Sequence, residues 1–175
     1  MKAPPHPAYA TFFETLIVTP GAAIVRKNVF TKVEGFKAGL SSTEDRHFWL
    51  KCGVTTSFKF CEQDVLLKRV HKDCMSWDVN RMIYNGYIVQ LDFISWCQNK
   101  NIDTSFVKYT GVDIVEKNIK RAIWYKAWDA ILAIILHARF YNVTSKKIKI
   151  IYNIIRLSPL LPSSVITLFL YKILK

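Results

Sequence analysis

The chain has 175 residues, a length that suits one domain or one domain with an appendage. Hydrophobic residues make up 51% of it, which excludes wholesale disorder, and 6 glycines with 6 prolines exclude collagen-like and low-complexity chains. With 25 Lys and Arg against 13 Asp and Glu, the formal net charge is +12, which predicts an anionic partner such as nucleic acid, a membrane surface or a phosphorylated substrate.

The positive charge lies mainly in the rear of the chain. Residues 1–99 hold 12 basic and 9 acidic side chains, whereas residues 100–175 hold 13 basic and 4 acidic ones. From Ala130 to the last residue there are seven basic side chains and no acidic one. The front and the rear are therefore expected to differ in character.

The front predicts a mixture of short helices and strands. Helices are predicted at 8–16, 28–33 and 42–52. Strands are predicted at 22–25, 57–61 and 65–70. Thr19-Pro20-Gly21 is a turn signal before the first strand, and Gly35 and Gly53 mark the ends of two helices. The expected fold class of residues 1–77 is α/β.

The rear, residues 78–175, predicts helices throughout. Helices are predicted at 78–99, 112–141 (with one break), 145–157 and 163–174. No stretch reaches the roughly 20 apolar residues that a transmembrane helix needs. The segment 145–157 is basic and amphipathic, which fits two interpretations equally: a helix on an anionic membrane surface, or a helix packed within a subdomain with solvated lysines.

The cysteines and the N-terminus predict a reducing compartment. The four cysteines, at 52, 61, 74 and 97, contain no CxxC pair, so zinc-ribbon and redox motifs are excluded and free thiols are expected. Residues 1–7 lead into no uninterrupted apolar run, so no signal peptide is predicted. The expected location is cytoplasmic, peripheral at the inner face of the cell membrane.

The helix predicted at 42–52 carries the strongest chemical signal. Helical spacing places Asp45 on one face with Phe48, Trp49 and Cys52, so a carboxylate lies on the apolar side at a helix N-terminus. A structural alternative is a capping box, since Ser41 and Glu44 match its S-x-x-E spacing. Taken alone, the spacing favours capping, whereas the alignment of Asp45 with two aromatic residues favours a functional carboxylate.

Two further segments are weaker candidates. His71 follows a predicted strand and could reach a cleft or a metal, although an ordinary surface histidine fits the spacing better. Gly21 lies in a turn that precedes a predicted strand. Its lack of a side chain permits the close approach of a ligand, although an ordinary turn explains the glycine as well. The GxGxxG, Walker A, GxSxG and HExxH patterns are absent from the sequence. Their absence excludes the common nucleotide-binding folds, hydrolases and zinc proteases that these patterns mark.

Taken in order, these segments resemble family 2 glycosyltransferases. The run VTPGAAIVRKNVFTKVEGF, the run TEDRHFWLKCG and the run LLKRVHKDCMS follow one another as in the second half of the catalytic domain of that family, over residues 8–76. The resemblance implies the GT-A fold. This gives a partial GT-A-like α/β domain at 1–77, on the acceptor side, followed by an all-helical, basic and possibly membrane-associating region at 78–175.

The resemblance also implies roles for individual residues. Asp45 is expected to be the general base of an inverting transfer, with Glu44 beside it shaping the acceptor site. The residues expected to line the substrate are Gly21, Ala22, Ala23, Trp49 and Arg69, the last near the donor diphosphate. His71 is expected to help hold a divalent metal, Mn²⁺ or Mg²⁺. Ser76 matches a serine that closes the family's pattern.

The expected partners follow from that resemblance. They are a nucleotide-sugar donor, a glycan or lipid-linked acceptor, and an anionic membrane surface. The family's nucleotide-binding half and its Asp-x-Asp-like motif have no counterpart in residues 1–7, so a separate N-terminal half is an expected partner and activity of this chain alone is in doubt. The alternative is a non-catalytic membrane-surface or interaction remnant. Nucleic acid is not an expected partner, because the basic residues alternate with isoleucines.

Overall fold

The structure is a computed structural model, and its secondary structure is helical. It describes residues 19–59, 61, 63, 65–67, 69, 71, 74–105, 107, 111–157, 166, 169–170 and 172–173. Six α-helices lie in these residues: α1 (Lys27–Lys32), α2 (Glu44–Thr55), α3 (Val79–Asn99), α4 (Gly111–Trp124), α5 (Trp128–Phe140) and α6 (Lys146–Leu157). Short 3₁₀ turns occupy Pro20–Ala22 and Met75–Trp77.

The predicted α/β fold class is wrong for the described residues, because none of them forms a β-strand. Of the segments expected as strands at 22–25, 57–61 and 65–70, Ala22 ends the 3₁₀ turn, and the other described residues are irregular. A partial GT-A-like domain at 1–77 is therefore not what this structure contains.

The failed strand predictions have a physical reason. A strand is stable only when a neighbouring strand satisfies its backbone and its apolar face is buried. Here Ile24 and Leu67 are almost fully exposed, and Val65 and Leu66 are also exposed. Short apolar runs predicted strands, but these runs have no described strand to pair with, and most of their described apolar side chains are exposed.

The helix predictions are confirmed where the structure describes them. Helical spacing placed helices at 28–33, 42–52, 78–99 and 145–157, and α1, α2, α3 and α6 lie there within three residues at each end. The predicted break in 112–141 falls between α4 and α5. The predicted helix at 8–16 lies outside the described residues, as does most of the one at 163–174.

The chain divides into two compact units. Unit 1 comprises Met1–Trp77 and Ile88–Lys108, and its buried apolar side chains come mainly from α2 and the later part of α3. They include Phe48, Leu50, Cys52, Val89, Phe93 and Cys97. Helix α3 contributes residues to both units. The domain boundary predicted near residue 77 stays a prediction.

Unit 2 comprises Asp78–Tyr87 and Tyr109–Lys175. Its buried residues recur at helical spacing along α4 and α5, which explains why these segments are helices that pack through one face. Ile114, Ile119, Ile131, Ile134, Ile135, Ile148 and Ile151 are among them. Of the helices in the described residues, none is both long enough and apolar enough to cross a bilayer.

Candidate functional site

Helix α2 begins in a way that differs from the predicted capping box. Its first helical residue is Glu44, and its N-cap is Thr43, which has a left-handed backbone (φ 61°) and forms no side-chain cap hydrogen bond. Ser41 lies two residues before this N-cap, so it does not occupy the capping position that the S-x-x-E pattern assigned to it. The acidic pair Glu44 and Asp45 occupies the first turn without a capping box.

Asp45 is a half-buried carboxylate whose pKa is raised. Burial is the main cause, and the neighbouring charge of Glu44 acts in the same direction. The backbone N–H of Arg46 donates a hydrogen bond to Asp45 Oδ1 at 2.6 Å, which partly offsets the rise in pKa. A helix N-terminus favours a charged carboxylate, so it acts against the rise that burial causes.

The apolar face behind Asp45 is built from aromatic rings. Phe48 and Trp49 are buried, with their ring centroids 4.8 Å apart in an edge-to-face arrangement. Phe36 packs on Phe48 at 4.8 Å, Phe30 packs on it at 5.5 Å, and Phe58 packs on Trp49 at 6.2 Å. Trp49, expected to contact substrate, therefore lies within this cluster.

Three buried polar atoms at the N-cap and in the first two turns of α2 have no hydrogen-bond partner among the described residues. They are Thr43 Oγ1, His47 Nδ1 and Trp49 Nε1. By register, Trp49 lies one turn after Asp45 on the same side of the helix, and Thr43 immediately precedes the acidic pair. A buried polar atom without a partner costs free energy, so this end of α2 carries unused hydrogen-bonding capacity.

The other predicted site residues lie in exposed, irregular segments. Gly21 and Ala22 belong to the 3₁₀ turn Pro20–Ala22 and are exposed, and Ala23 is half-buried. Arg69 and His71 are exposed. Within the part of the chain that the structure describes, no hydrogen bond or ion pair joins Asp45 to these residues.

His71 and its neighbours form a local turn. The His71 carbonyl oxygen accepts a hydrogen bond from Trp77 Nε1 at 2.8 Å and one from the backbone N–H of Cys74 at 3.1 Å. Ser76 is exposed in the 3₁₀ turn that follows. No group of three or more His, Cys, Asp and Glu residues suited to a metal ion occurs among the described residues. The divalent metal that the resemblance implied at His71 stays a prediction.

A second polar cluster lies between α2 and the later part of α3, and the sequence did not predict it. The side chain of His47 is fully buried, and its Nε2 lies 2.7 Å from Asp92 Oδ2. Lys37 forms an ion pair with the other oxygen of the same carboxylate. Burial, assisted by the charge of Lys51, lowers the pKa of His47 to about 4, while Asp92 opposes this shift.

The geometry supports a neutral His47. Its Nδ1 atom is buried and has no hydrogen-bond partner among the described residues. An added proton on Nδ1 would create a buried N–H donor with no acceptor, which is costly. His47 therefore donates from Nε2 to Asp92 and stays uncharged at neutral pH.

A cation on α2 extends this cluster by one helical turn. Lys51 Nζ donates a hydrogen bond to the Val33 carbonyl oxygen at 3.3 Å, lies 3.8 Å from Glu34, and lies 5.2 Å from the centroid of the Trp96 ring. Burial lowers the pKa of Lys51. Glu34 also forms an ion pair with Lys100 at 2.9 Å.

The sequence contained part of the signal for this cluster. His47 and Lys51 are four residues apart on α2, and Asp92 and Trp96 are four apart on α3, so each pair follows one face of its helix. Spacing within one helix does not identify the opposing helix, however. The two rows could be paired only once the packing of α2 on α3 was known.

Comparisons with models of protein families, with curated proteins and with solved structures find no match for this chain. The interpretation of the site therefore rests on its own residues and on the sequence resemblance described above.

Proposed function

We propose that this chain carries the acceptor-side general base of an inverting glycosyltransferase, and that Asp45 is that base. The donor would be a nucleotide-sugar and the acceptor a glycan or lipid-linked hydroxyl. The observation that carries the proposal is the setting of Asp45: a half-buried carboxylate with a raised pKa in the first turn of α2.

The chemistry requires a group of this kind. The acceptor oxygen forms a bond to the anomeric carbon, and the bond from that carbon to the diphosphate breaks with its electron pair leaving on the diphosphate. The acceptor proton must pass to a base within hydrogen-bond reach. A carboxylate whose pKa is raised binds that proton more tightly than an ordinary one, and partial exposure of Asp45 leaves it accessible to an acceptor.

A neighbouring group supports an acceptor site at this end of α2. Glu44 is beside Asp45 and half-buried, so its carboxylate can accept hydrogen bonds from other acceptor hydroxyls. This support does not depend on a GT-A sheet.

The test is a transfer assay on the full chain. The purified protein is incubated with radiolabelled uridine, guanosine and cytidine nucleotide-sugars, a divalent metal, and a lipid extract together with soluble oligosaccharides. We expect Asp45→Asn to lower the transfer rate by about 10²–10⁴-fold, because the base is removed while the shape is kept. Asp103→Asn is the matched control, since Asp103 is an exposed carboxylate that caps its own turn through Ser105.

Two results would overturn the proposal. One is undiminished transfer by Asp45→Asn, which would remove Asp45 as the base. The other is the absence of transfer by the wild-type chain with every donor and acceptor, both alone and after addition of a lysate of the source cells, which would supply a separate donor-binding half. That second result would favour the alternative function, a non-catalytic membrane-surface or interaction remnant.

A further inference from the structure

Helix α5 carries an apolar stripe on its outer face. Leu132, Leu136 and Phe140 follow one another at intervals of four residues, and they are 40%, 50% and 80% exposed. The opposite face of α5 is filled by Ile131, Ile134, Ile135 and Ala138, which are fully buried. The stripe is therefore additional to the face that packs in unit 2, and folding of this unit does not account for it.

Exposed aromatic side chains also lie close in sequence to both ends of α5. Trp124 ends α4 and Tyr125 follows it, while Tyr141 follows Phe140, and all three are exposed. The rings of Phe140 and Tyr141 pack at 5.0 Å. Trp and Tyr side chains are the ones that favour the boundary between lipid and water, because they have an apolar body and a polar tip.

Basic side chains lie beside the stripe. Residues 111–157 hold nine Lys and Arg against three Asp and Glu. Arg139 is on the exposed side of α5, and its guanidinium lies 4.3 Å from the ring centroid of Tyr152 on α6. This contact places α6 next to the stripe, and α6 exposes Lys146, Lys147, Lys149 and Arg156.

The sequence suggested that the isoleucines of α6 contact lipid, but the structure uses some of them for packing within unit 2. The membrane interpretation of 145–157 assigned its apolar face to lipid, yet Ile148 and Ile151 are fully buried within unit 2. Ile150 and Leu157 alone among its large aliphatic residues are about half exposed. Packing in the unit therefore uses the apolar face of α6, and its cations are left on the outside.

We propose that unit 2 binds an anionic lipid surface through the α5 stripe, with the exposed cations of α6 contacting the headgroups. The charge distribution favours an anionic lipid surface as the binding partner. An apolar stripe flanked by an excess of basic side chains is complementary to lipid tails beneath a negative headgroup layer. This binding does not involve Asp45 and goes beyond the proposed transfer reaction.

The experiment is sedimentation of the full chain with vesicles. Phosphatidylcholine vesicles with and without phosphatidylglycerol are compared at low and high salt. We expect binding to the anionic vesicles only, and weaker binding at high salt because exposed charges are screened. The variant Leu132→Ser/Leu136→Ser/Phe140→Ser should lose at least about tenfold in affinity, and Lys146→Gln should lose about fivefold.

A matched control separates the stripe from general hydrophobicity. Ile24→Ser/Leu67→Ser removes two exposed aliphatic side chains from unit 1 and should bind vesicles as the wild type does. Asp45→Asn should also bind normally, so failure of this proposal is distinguishable from failure of the proposed function. Circular dichroism checks that each variant keeps its helices.

Two outcomes would overturn the proposal. One is equal vesicle binding by the stripe variant and the wild type. The other is no binding to any vesicle; if the wild type then sediments as a dimer and the stripe variant as a monomer, the occupant is a second copy of the chain.

Discussion

Single buried side chains account for the strongest electrostatic features of unit 1. His47 is a buried imidazole between a carboxylate and two ammonium groups, those of Lys37 and Lys51. An imidazole bonded to Asp92 would ordinarily gain a proton more easily. Here burial and the two lysines outweigh the carboxylate, and the pKa falls.

His47 should make the stability of the protein depend on pH. In the unfolded chain His47 takes up a proton near its ordinary pKa of 6.5, whereas in the folded chain it does so only near about 4. Protons therefore favour the unfolded state as the pH falls from 6.5 to 4, and the cost reaches up to about 3 kcal/mol at the lower limit.

The measurement is urea unfolding of the wild type and of His47→Gln across this pH range. His137, whose pKa burial also lowers, contributes a slope in the same direction, so the difference between the two proteins is the relevant quantity. We expect the variant to lose less stability than the wild type on acidification. Equal losses would mean that folding does not lower the pKa of His47.

Two glycines with left-handed backbones make a matched pair in unit 1. Gly35 (φ +61°) closes the turn after α1, and a Cβ added there would lie 2.8 Å from the Phe30 ring. Gly39 (φ +84°) has open space around its Cβ position. Gly35→Ala should destabilise by more than the roughly 1–2 kcal/mol of backbone strain, and Gly39→Ala by that strain alone. Thermal unfolding compares the stabilities of the two variants. Equal losses would mean that the Phe30 ring moves aside at no cost in free energy.

Four helices end with the same kind of turn. Each of α1, α3, α4 and α5 is followed by one non-glycine residue with a left-handed backbone. The residue after it then donates its backbone N–H to the carbonyl oxygen five positions earlier in the chain. The left-handed residues are Glu34, Asn101, Lys126 and Asn142. Asn tolerates this backbone well, which fits its presence at two of the four positions. Glu34 and Lys126 have no such advantage and hold a mildly strained conformation.

This turn gives a prediction for α4. Lys126→Gly should stabilise the protein by about 1 kcal/mol, because glycine relieves the left-handed strain after Trp124. Lys120→Gly is the matched control: it removes the same side chain from an exposed position inside α4 and should destabilise by about 1 kcal/mol. Chemical denaturation measures both changes, and a loss of stability in Lys126→Gly would contradict the strain argument.

Helices and strands differed in how far the sequence predicted them. The helices follow from local information, since the spacing of Ile114, Ile119 and Ile123 defines a buried face without reference to any other element. Strands depend on a partner elsewhere in the chain, and runs such as 65–70 contained no information about a partner. The same limit applied to the site: Asp45 could be proposed from one helix, whereas the contact between His47 and Asp92 required two.

At the scale of the whole molecule, the central question is whether the front of the chain builds a helical unit or part of a sheet. Ile24 and Leu67 separate these architectures because the α/β prediction placed both in strands, whereas the structure leaves them 103% and 98% exposed. Leu50 is the contrasting position, since it is fully buried on α2.

Asparagine substitutions at these three positions test the architecture. Ile24→Asn and Leu67→Asn should change the free energy of unfolding by less than about 0.5 kcal/mol, because an exposed side chain loses no packing. Leu50→Asn should cost about 3–5 kcal/mol, because it removes buried contacts and buries an amide. Urea denaturation of the full chain gives all three values. A cost of several kcal/mol at Ile24 or Leu67 would show that these residues enter a core, and it would count against the helical architecture of unit 1.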